Sequence, residues 1–426
     1  MATPYPIRTV TEDDLPAIHT VHEHAFHSGP PSEQSRARMH ARIELDRTIA
    51  AFDGATMVGV AGAYSFRMRV PGALAPVAGV TMVAVLPSYR RRGILFSLMT
   101  QQLEDLHGRG EEVAALFASE AGIYRRYGYG QASWHATFGL RAGEGTLATA
   151  APADGSLRVR IAAPDSARAE LAKVYDTVLA ERPGFFARND AWWDRALADG
   201  PEDRAGASPL RCVLAEDSAG PRGYALFSAR GRWDQDTFLA DSSIDIREII
   251  TADPAATAAI WGDLLSRDLV TEFHAAMRPV DDPLLHLLAD PRRVRARIAD
   301  GLWVRLVDVG GALARRRYAC PVDVVLDVSD ESCGWNQGRW RLSAGGSAPA
   351  ATAAGGPTPG TARCERTSDP ADIALPAHVL GAAYLGGTRL GSMAQAGLVT
   401  ELRPGALAAL SAALSWDPAP WCPVIF

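Results

Sequence analysis

The sequence predicts a mixed α/β (α+β) chain in which one strand–helix arrangement occurs twice and a smaller α+β region follows. The apolar stretch Val77–Val85 runs through a basic, glycine-containing turn into a segment with apolar residues at helical spacing. Segments of strand and helix type recur in the same order after residue 156, and alternating strands with two short helices follow Leu302. A chain of 426 residues is too long for one ordinary core, which favours two or three domains.

The first arrangement begins near the N-terminus. Alternating apolar stretches, a tight-turn dipeptide at Asp53-Gly54 and apolar stripes at helical spacing indicate its elements. In chain order we predict a strand at Ile7–Val10, a helix with Leu15, Ile18, Val21 and Ala25 on one face, hairpin strands at Thr48–Phe52 and Met57–Arg67, the strand Val77–Val85, a helix with Leu95, Leu98, Met99 and Leu103 on one face, and the strand Val113–Phe117.

The second arrangement repeats this order but lacks the basic turn. Its predicted elements are the strand Leu157–Ala162, the helix Asp165–Leu179, the strands Arg211–Glu216 and Gly223–Ala229, and the strand Ile244–Thr251 before a helix. Where the first arrangement has arginine and glycine, the second has Ala252-Asp253-Pro254. Proline lacks an N–H group and Asp253 caps the helix with a negative charge, so we expect the second copy to bind no cofactor.

The C-terminal region has its own elements. Val322–Val328 and Arg339–Leu342 are predicted strands, and Val379–Tyr384 and Ala406–Leu414 are predicted helices. Residues 344–361 form a Gly/Ala/Ser/Pro/Thr run without a bulky apolar side chain, which predicts a mobile hairpin loop.

Composition narrows the classes of partner. A net charge of −6 and the absence of any run of five basic residues argue against nucleic acid. With no apolar stretch of about 18 residues and no secretory signal, we expect no membrane partner and a cytoplasmic location. Five scattered cysteines without C-x-x-C spacing indicate neither a disulfide framework nor a zinc site. We expect no metal at the clustered histidines, because among His19, His22, His24 and His27 only the first two share a helix face.

The basic turn before the second helix predicts a phosphate site. The first N–H groups of a helix have no partner within it, and the helix dipole adds roughly half a positive charge. The run Arg90-Arg91-Arg92-Gly93 stands at this point. We therefore predict that the stretch Arg91–Phe96 binds a polyanion, although three arginines can also form a solvated face.

The chain end is unusually apolar. Trp416, Trp421, Ile425 and Phe426 lie within the last eleven residues. Burying these side chains would contribute several kcal/mol, at about 25 cal/mol per Å² of apolar surface. We therefore expect the tail to dock on the folded protein instead of fraying.

Several motifs resemble a known family. The order Arg90-x-x-Gly93 is similar to the pyrophosphate loop of the GCN5-related N-acetyltransferases (GNAT), which read Arg/Gln-x-x-Gly-x-Gly/Ala, although Leu95 replaces the last small residue. The segment Ser119-Glu120-Ala121-Gly122-Ile123-Tyr124, continued to Gly130, resembles the enhanced intracellular survival (Eis) family of bacterial acetyltransferases. The resemblance covers the whole chain through further segments: Arg182-Pro183-Gly184-Phe185, Ala191-Trp192-Trp193, residues 300–308, residues 338–343 and Pro420-Trp421-Cys422.

The resemblance implies an architecture and an activity. It implies two tandem GNAT folds, the second degenerate, and a C-terminal domain similar to sterol carrier protein 2, with domains at 1–143, 155–301 and 302–426. The implied activity is acetyl transfer from acetyl-CoA to primary amines of aminoglycoside, arylalkylamine or lysine type, in a homo-oligomer that is hexameric in the family. The alternative that we consider is a non-catalytic CoA- or lipid-binding carrier or sensor.

The resemblance also implies roles for particular residues. Residue chemistry alone leaves Tyr124, Tyr127 and Tyr129 open as the proton donor, and the resemblance selects Tyr124 as general acid. It assigns the general base to the α-carboxylate of Phe426. The reference pKa of such a group is about 3.3 to 3.7, and desolvation in an apolar pocket would raise this pKa and make the group a better base. Some family members have an acidic residue before the terminal Phe, where this chain has Ile425, which favours apolar or aromatic amines here. The implied cofactor residues are Val83, Ala84, Val85, Arg91, Arg92, Gly93, Ile94, Leu95, Phe96, Ser119 and Glu120.

Overall fold

A computed structural model of the chain describes residues 4–345 and 362–426. These residues form two compact units. Of the described residues, the first unit comprises 4–133, 301–345, 362–420 and Ile425–Phe426, and the second comprises Trp134–Asp300 and Trp421–Val424. The predicted loop at residues 344–361 falls almost entirely outside the described residues.

The strands are numbered in chain order. They are β1 (Ile7–Thr9), β2 (Thr48–Asp53), β3 (Thr56–Val70), β4 (Ala73–Val85), β5 (Val113–Phe117), β6 (Gly130–Gln131), β7 (Trp134–Arg141), β8 (Arg158–Ala162), β9 (Arg211–Asp217), β10 (Gly220–Arg230), β11 (Ser242–Thr251), β12 (Val270–Arg278), β13 (Arg297–Asp300), β14 (Leu302–Leu306), β15 (Val322–Ser329), β16 (Gly338–Ala344), β17 (Arg363–Arg366), β18 (Ile373–Pro376) and β19 (Thr400–Glu401).

The α-helices are numbered in the same way. They are α1 (Leu15–Phe26), α2 (Glu33–His40), α3 (Ile94–Gly108), α4 (Ala121–Tyr124), α5 (Arg168–Leu179), α6 (Asp190–Ala196), α7 (Pro201–Arg204), α8 (Pro254–Leu265), α9 (Leu284–Leu287), α10 (Val309–Arg315), α11 (Ala377–Ala383), α12 (Leu390–Gln395) and α13 (Ala406–Leu414).

The first sheet, in the first unit, has the strand order β1-β2-β3-β4-β5-β14-β6. Its pairs are antiparallel except β4 with β5, which α3 connects by a parallel crossover. Side chains alternate along β2, so Phe52 shares a core with Val21 of α1, whereas Ala51 shares another core with Leu98 of α3. The two helices therefore cover opposite faces of the sheet.

The second sheet, in the second unit, repeats this topology. Its order is β13-β7-β12-β11-β10-β9-β8, and β11 and β12 are parallel neighbours joined through α8. The predicted repetition of the fold is confirmed. Asp253 caps α8, as predicted, by accepting a hydrogen bond from the N–H of Ala256 at 2.9 Å, and its other carboxylate oxygen pairs with Arg222 at 2.8 Å. This carboxylate stands where the first copy has Gly93.

The third sheet, in the first unit, has the order β17-β16-β15-β18-β19 and packs with α10, α11 and α13. Arg316, which is 1% exposed, lies in its interior. The Arg316 guanidinium donates hydrogen bonds to the carbonyls of Ala383 and Leu414, at the C-terminal ends of α11 and α13. Burial lowers the pKa of Arg316, and these carbonyls compensate the buried charge.

Two strands do not follow the predicted domain boundaries. The predicted first domain, 1–143, includes β7, but β7 lies in the second sheet between β12 and β13. The predicted last domain, 302–426, includes β14, but β14 lies in the first sheet between β5 and β6. Strand alternation shows which face a residue occupies and not which distant strand it will pair with. The three-domain division itself stays a prediction.

The predicted docking of the chain end is confirmed at Trp421. This side chain is 4% exposed, its indole N–H donates to the carbonyl of Met277 at 2.6 Å, and its backbone N–H donates to Pro183 at 2.8 Å. The expected burial of the last two residues is wrong for Ile425, which is 51% exposed.

The histidines of α1 do not form a metal cluster. His19 is buried, and its Nε2 lies 2.7 Å from Nε2 of His40 on α2. Among the described residues, no group of three or more His, Cys, Asp or Glu side chains is placed to hold a metal ion. None of the described helices is both long and apolar enough to cross a membrane.

Candidate active site

The first sheet opens between β4 and β5. Within the described part of the chain, these parallel strands pair at two positions, Ala78 with Ala114 and Gly79 with Ala115, although β4 continues to Val85. The last residues of β4 therefore have a backbone edge that faces β5 without pairing with it.

A β-bulge in β4 accompanies this opening. The register with β3 passes from Val60 opposite Ala84 to Gly62 opposite Thr81, so β4 has one residue more than β3 between these pairs. Met82, in the bulge, has a φ of 53°. A bulge bends its strand and increases the local twist, which separates the end of β4 from β5.

A cleft of about 450 Å³ lies at the opening. Its walls come from the end of α1, the end of β4, the turn into α3, the first turn of α3 and the segment after β5. The lining residues are Ala25, Phe26, Val83, Ala84, Val85, Tyr89, Arg90, Arg91, Gly93, Ile94, Leu95, Phe96, Ser119, Glu120, Ile123, Tyr124, Arg126 and Tyr127. Every predicted cofactor residue except Arg92 is among them, together with Tyr124.

The start of α3 gives the cleft its anion-binding character. Gly93 is the N-cap with a φ of 80°, a left-handed conformation that glycine adopts without strain, and Arg91 has a φ of 63°. Because the cap residue has no side chain, the N–H groups of Ile94, Leu95 and Phe96 have no capping partner in the helix. With the dipole of this 15-residue helix, they form a site for a negatively charged group.

The arginines of the turn point to different places. Arg90 and Arg91 line the cleft. Arg92, which we predicted as a cofactor residue, donates instead to the hydroxyl of Tyr5 at 2.9 Å, and its guanidinium lies 4.8 Å from the ring centroid of Tyr89. Its side chain lies outside the residues that line the cleft and holds the N-terminal segment against the turn, and its role as a cofactor residue stays a prediction.

Tyr124 lies at the end of the short helix α4, after Ser119 and Glu120. Its side chain is 5% exposed and lines the cleft. Burial raises the pKa of Tyr124 to about 12, against a smaller opposite effect of its hydrogen bond with Ser119. The phenol is therefore protonated at neutral pH and can donate a proton or a hydrogen bond.

Two of the three tyrosines that the sequence left open, Tyr124 and Tyr127, line the cleft. Tyr127 lines the cleft and is 2% exposed. Tyr129 is fully buried outside the cleft, and its hydroxyl has no hydrogen-bond partner among the described residues. Burial raises the pKa of Tyr129 far above its usual value. Its ring packs edge to face with that of Tyr124, at 6.0 Å between ring centroids.

The chain end reaches the same part of the first unit. The ring of Phe426 lies 5.5 Å from Phe117, the last residue of β5, and 4.8 Å from Phe66 of β3, edge to face in both pairs. Tyr64 extends this group, with its ring 5.7 Å from that of Phe66. Ser119 follows Phe117 by two residues. The ring of Phe426 therefore contacts the strand that leads directly into the segment carrying Tyr124.

Sequence reasoning missed several lining residues. Arg126 lies two residues after Tyr124 and adds a third guanidinium to the cleft. Phe26, at the end of α1, is 41% exposed although it is aromatic. Its position one residue after the apolar stripe of α1 was the only sequence signal for it, and this signal does not distinguish a cleft wall from an ordinary surface residue.

The bulged strand, the parallel crossover through α3 and the cleft between them define a GCN5-related N-acetyltransferase. Residues 6–132 match a family model described as an acetyltransferase (GNAT) domain, residues 184–306 match another with the same description, and residues 309–423 match a sterol carrier protein domain. The predicted fold class is confirmed. Enzymes of this class use acetyl-CoA as the acetyl donor.

The chain belongs to the Eis family of these enzymes, as its motifs predicted. N-acetyltransferase Eis of Mycobacterium tuberculosis is 32% identical over 420 residues, 96% of each chain. An uncharacterized N-acetyltransferase of Streptomyces avermitilis is 41% identical over 419 residues, 98% of each chain. Among solved structures, Eis1 from Mycobacterium abscessus has a TM-score of 0.80 at 32% identity and covers 99% of this chain and 100% of its own. The chain is thus an N-acetyltransferase, and the non-catalytic alternative is not supported.

Proposed function

We propose that this enzyme transfers an acetyl group from acetyl-CoA to a primary amine of aminoglycoside, arylalkylamine or lysine type. The observation that carries the proposal is the cleft itself. It brings together the unpaired edge of β4, the uncapped start of α3 and the protonated side chain of Tyr124.

The residues of the cleft fit the chemical groups of acetyl-CoA, which supplies the activated acetyl group. The backbone of Val83, Ala84 and Val85 can pair with the amide groups of an extended ligand, as an added strand does. The N–H groups at the start of α3 and the guanidinium of Arg91 suit a pyrophosphate. Ser119 and Glu120 complete the opposite wall.

Arg91→Ala is expected to weaken acetyl-CoA binding by about 1.5 to 3 kcal/mol, the range for a charge-assisted hydrogen bond. The KM for acetyl-CoA should rise while kcat stays nearly unchanged, because the contact is the same before and during the reaction. Arg92→Ala is the matched comparison and should have the smaller effect, since Arg92 is bound to Tyr5. Calorimetric titration and steady-state kinetics measure both. A larger loss of affinity in Arg92→Ala than in Arg91→Ala would contradict this assignment.

Two groups of the chain handle the protons. The α-carboxylate of Phe426 takes a proton from the acceptor amine, which makes its nitrogen nucleophilic, and the hydroxyl of Tyr124 donates a proton to the departing sulfur. The position of the Phe426 ring beside Phe117 supports the first role. The burial of Tyr124, which keeps its phenol protonated, supports the second.

The surroundings of the chain end favour an apolar or aromatic acceptor over a polycationic one. Phe426 lies among the aromatic rings of Phe66 and Phe117, and the neighbouring Ile425 carries no charge to attract an ammonium group. Aromatic surfaces bind apolar amines by burial and bind single cations through their π faces.

Thiol release from acetyl-CoA, measured with a panel of arylalkylamines, aminoglycosides and lysine peptides, tests the proposal. We expect the highest kcat/KM with an arylalkylamine. Comparable amines without the aromatic ring serve as the control for ring recognition. No turnover above the hydrolysis rate with any member of the panel, despite measurable binding of acetyl-CoA, would refute the proposed acceptor classes.

We also propose a homohexameric assembly in the cytoplasm, as the family resemblance implies. One described segment between β10 and β11 supports self-association. Its side chains Trp233, Phe238 and Leu239 are 57%, 80% and 66% exposed. Adjacent apolar side chains with this exposure are typical of an interaction surface.

A further inference from the structure

The backbone of Tyr124 is tied to the turn that follows it in the chain. After α4 the chain passes through a short turn, Arg125–Tyr127, and Gly128 in the left-handed conformation with a φ of 80°. The N–H of Tyr129 then donates to the carbonyl of Tyr124 at 3.3 Å. The position of Tyr124 therefore depends on where this turn is held.

Arg305 of β14 lies directly against the turn. A Cβ atom on Gly128 would come within 2.0 Å of Nη1 of Arg305, so the guanidinium fills the space that a side chain there would need. Arg305 is completely buried, and its Nη2 donates to Asp330 at 2.5 Å. A buried ion pair of this kind holds a fixed geometry, because breaking it leaves an uncompensated charge.

Asp330 orders the loop that follows β15. Its carboxylate accepts hydrogen bonds from the backbone N–H groups of Ser332 and Cys333, at 3.2 and 3.1 Å, and from the side-chain amide of Asn336 at 3.1 Å. The Asn336 amide also donates to the carbonyl of Val307, just after β14. Residues 330–336 are thus fixed to the same strand that carries Arg305.

This loop reaches the tyrosine segment at a second point. The hydroxyl of Ser332 donates to the backbone carbonyl of Arg126 at 3.0 Å. A third contact comes from α11, where Nε2 of His378 accepts from Nε of Arg125 at 3.1 Å. Three of the four residues 125–128, namely Arg125, Arg126 and Gly128, are therefore each in contact with the C-terminal part of the first unit.

We propose that Arg305 and Ser332 are positioning residues for Tyr124, through which the C-terminal region of the chain sets the place of the proton donor. The inference rests on the proposed role of Tyr124. Neither side chain lines the cleft, so both act through the backbone of the turn and not on the ligand. Packing alone would not require these two contacts with the backbone of the turn. Ser332 binds the carbonyl of Arg126, and Arg305 lies against Gly128.

Ser332→Ala is the decisive variant because Ser332 is only half-buried and its loss leaves the ion pair intact. We expect kcat to fall by about 3- to 30-fold, below the roughly 10²-fold that a misplacement of 1 Å can cost. The KM for acetyl-CoA and the melting temperature should stay unchanged, and Ser332→Thr, which retains a hydroxyl, should restore kcat. Glu331→Ala changes the exposed neighbour and is the control. Full kcat in Ser332→Ala would overturn the inference.

Arg305→Lys tests the other contact, since it keeps a positive charge opposite Asp330 but removes the planar group from Gly128. It should lower kcat at an unchanged KM for acetyl-CoA. If this variant does not fold, the result for Ser332→Ala decides alone.

A double-variant cycle separates this inference from the proposed function. Added to Tyr124→Phe, Ser332→Ala should cause no further loss, because the group that it positions is already absent. A full additional loss would show that Ser332 acts independently of Tyr124 and would overturn the inference. If Tyr124→Phe retains full kcat, the proposed role of Tyr124 fails. If Tyr124→Phe is impaired while Ser332→Ala is not, only the positioning role fails.

Discussion

Tyr124→Phe is expected to lower kcat by about 10² to 10⁴, the usual cost of losing a general acid. The KM for acetyl-CoA should change little, because the hydroxyl contributes to the departure of the sulfur and not to holding the cofactor. Thiol release at saturating amine measures the effect. The pKa of about 12 adds a further expectation. Tyr124 should stay protonated, and should cause no loss of kcat, until the pH approaches that value.

Tyr129→Phe is the matched control for this variant. It removes the same atom from the same segment, but the Tyr129 hydroxyl lies outside the cleft and has no hydrogen-bond partner among the described residues. Its kcat should equal that of the unaltered enzyme. Tyr127→Phe is the informative third variant, because Tyr127 also lines the cleft. If Tyr127→Phe is inactive and Tyr124→Phe is active, the general acid is Tyr127.

Residues added after Phe426 are expected to abolish turnover, with a loss of about 10² to 10⁴ for a general base. An extension converts the α-carboxylate of Phe426 into a peptide group, which has no basic oxygen at neutral pH. Acetyl-CoA affinity and the melting temperature should be preserved, since the start of α3 belongs to a separate part of the sequence. Kinetics of a chain that ends at Phe426 and carries an N-terminal tag, compared with the same chain carrying a C-terminal tag, provide the measurement.

Two variants distinguish the carboxylate from the aromatic ring. Phe426→Leu keeps the carboxylate but loses the edge-to-face contacts with Phe66 and Phe117, so it should retain more activity than the extended chain. Deletion of Phe426 moves the carboxylate to Ile425 and should be as damaging as the extension. The extension combined with Tyr124→Phe should cost less than the product of the two losses if both groups serve one concerted transfer.

A tagged enzyme with full kcat would refute the role of the carboxylate. The base would then be sought in Glu120, which lines the cleft, or among the histidines of α1. Burial lowers the pKa values of His19 and His22, so both are unprotonated at neutral pH and able to accept a proton.

Much of the local structure could be predicted from the sequence. The apolar stretch Val77–Val85 and the helical spacing after Gly93 predicted β4 and α3, and Asp253 was predicted as the cap of α8 and is observed as such. These features depend on residues within one turn or one strand of each other. The hydrogen bonds and side-chain faces involved are local, so their signals are present in short windows of sequence.

Only the tertiary structure decided where distant segments meet. Residues 302–306 were assigned with the last predicted domain, but they form β14, whose place between β5 and β6 depends on partners about 170 to 190 residues earlier. The same holds for Arg92, whose charge suggested a phosphate and whose partner is Tyr5, and for Ser332, which nothing in the sequence connects to Arg126. The pattern of residues around a position specifies whether that residue lies in a helix or a strand and which face of this element it occupies. Its partner is chosen by the packing of the whole core, in which contacts between remote residues form together.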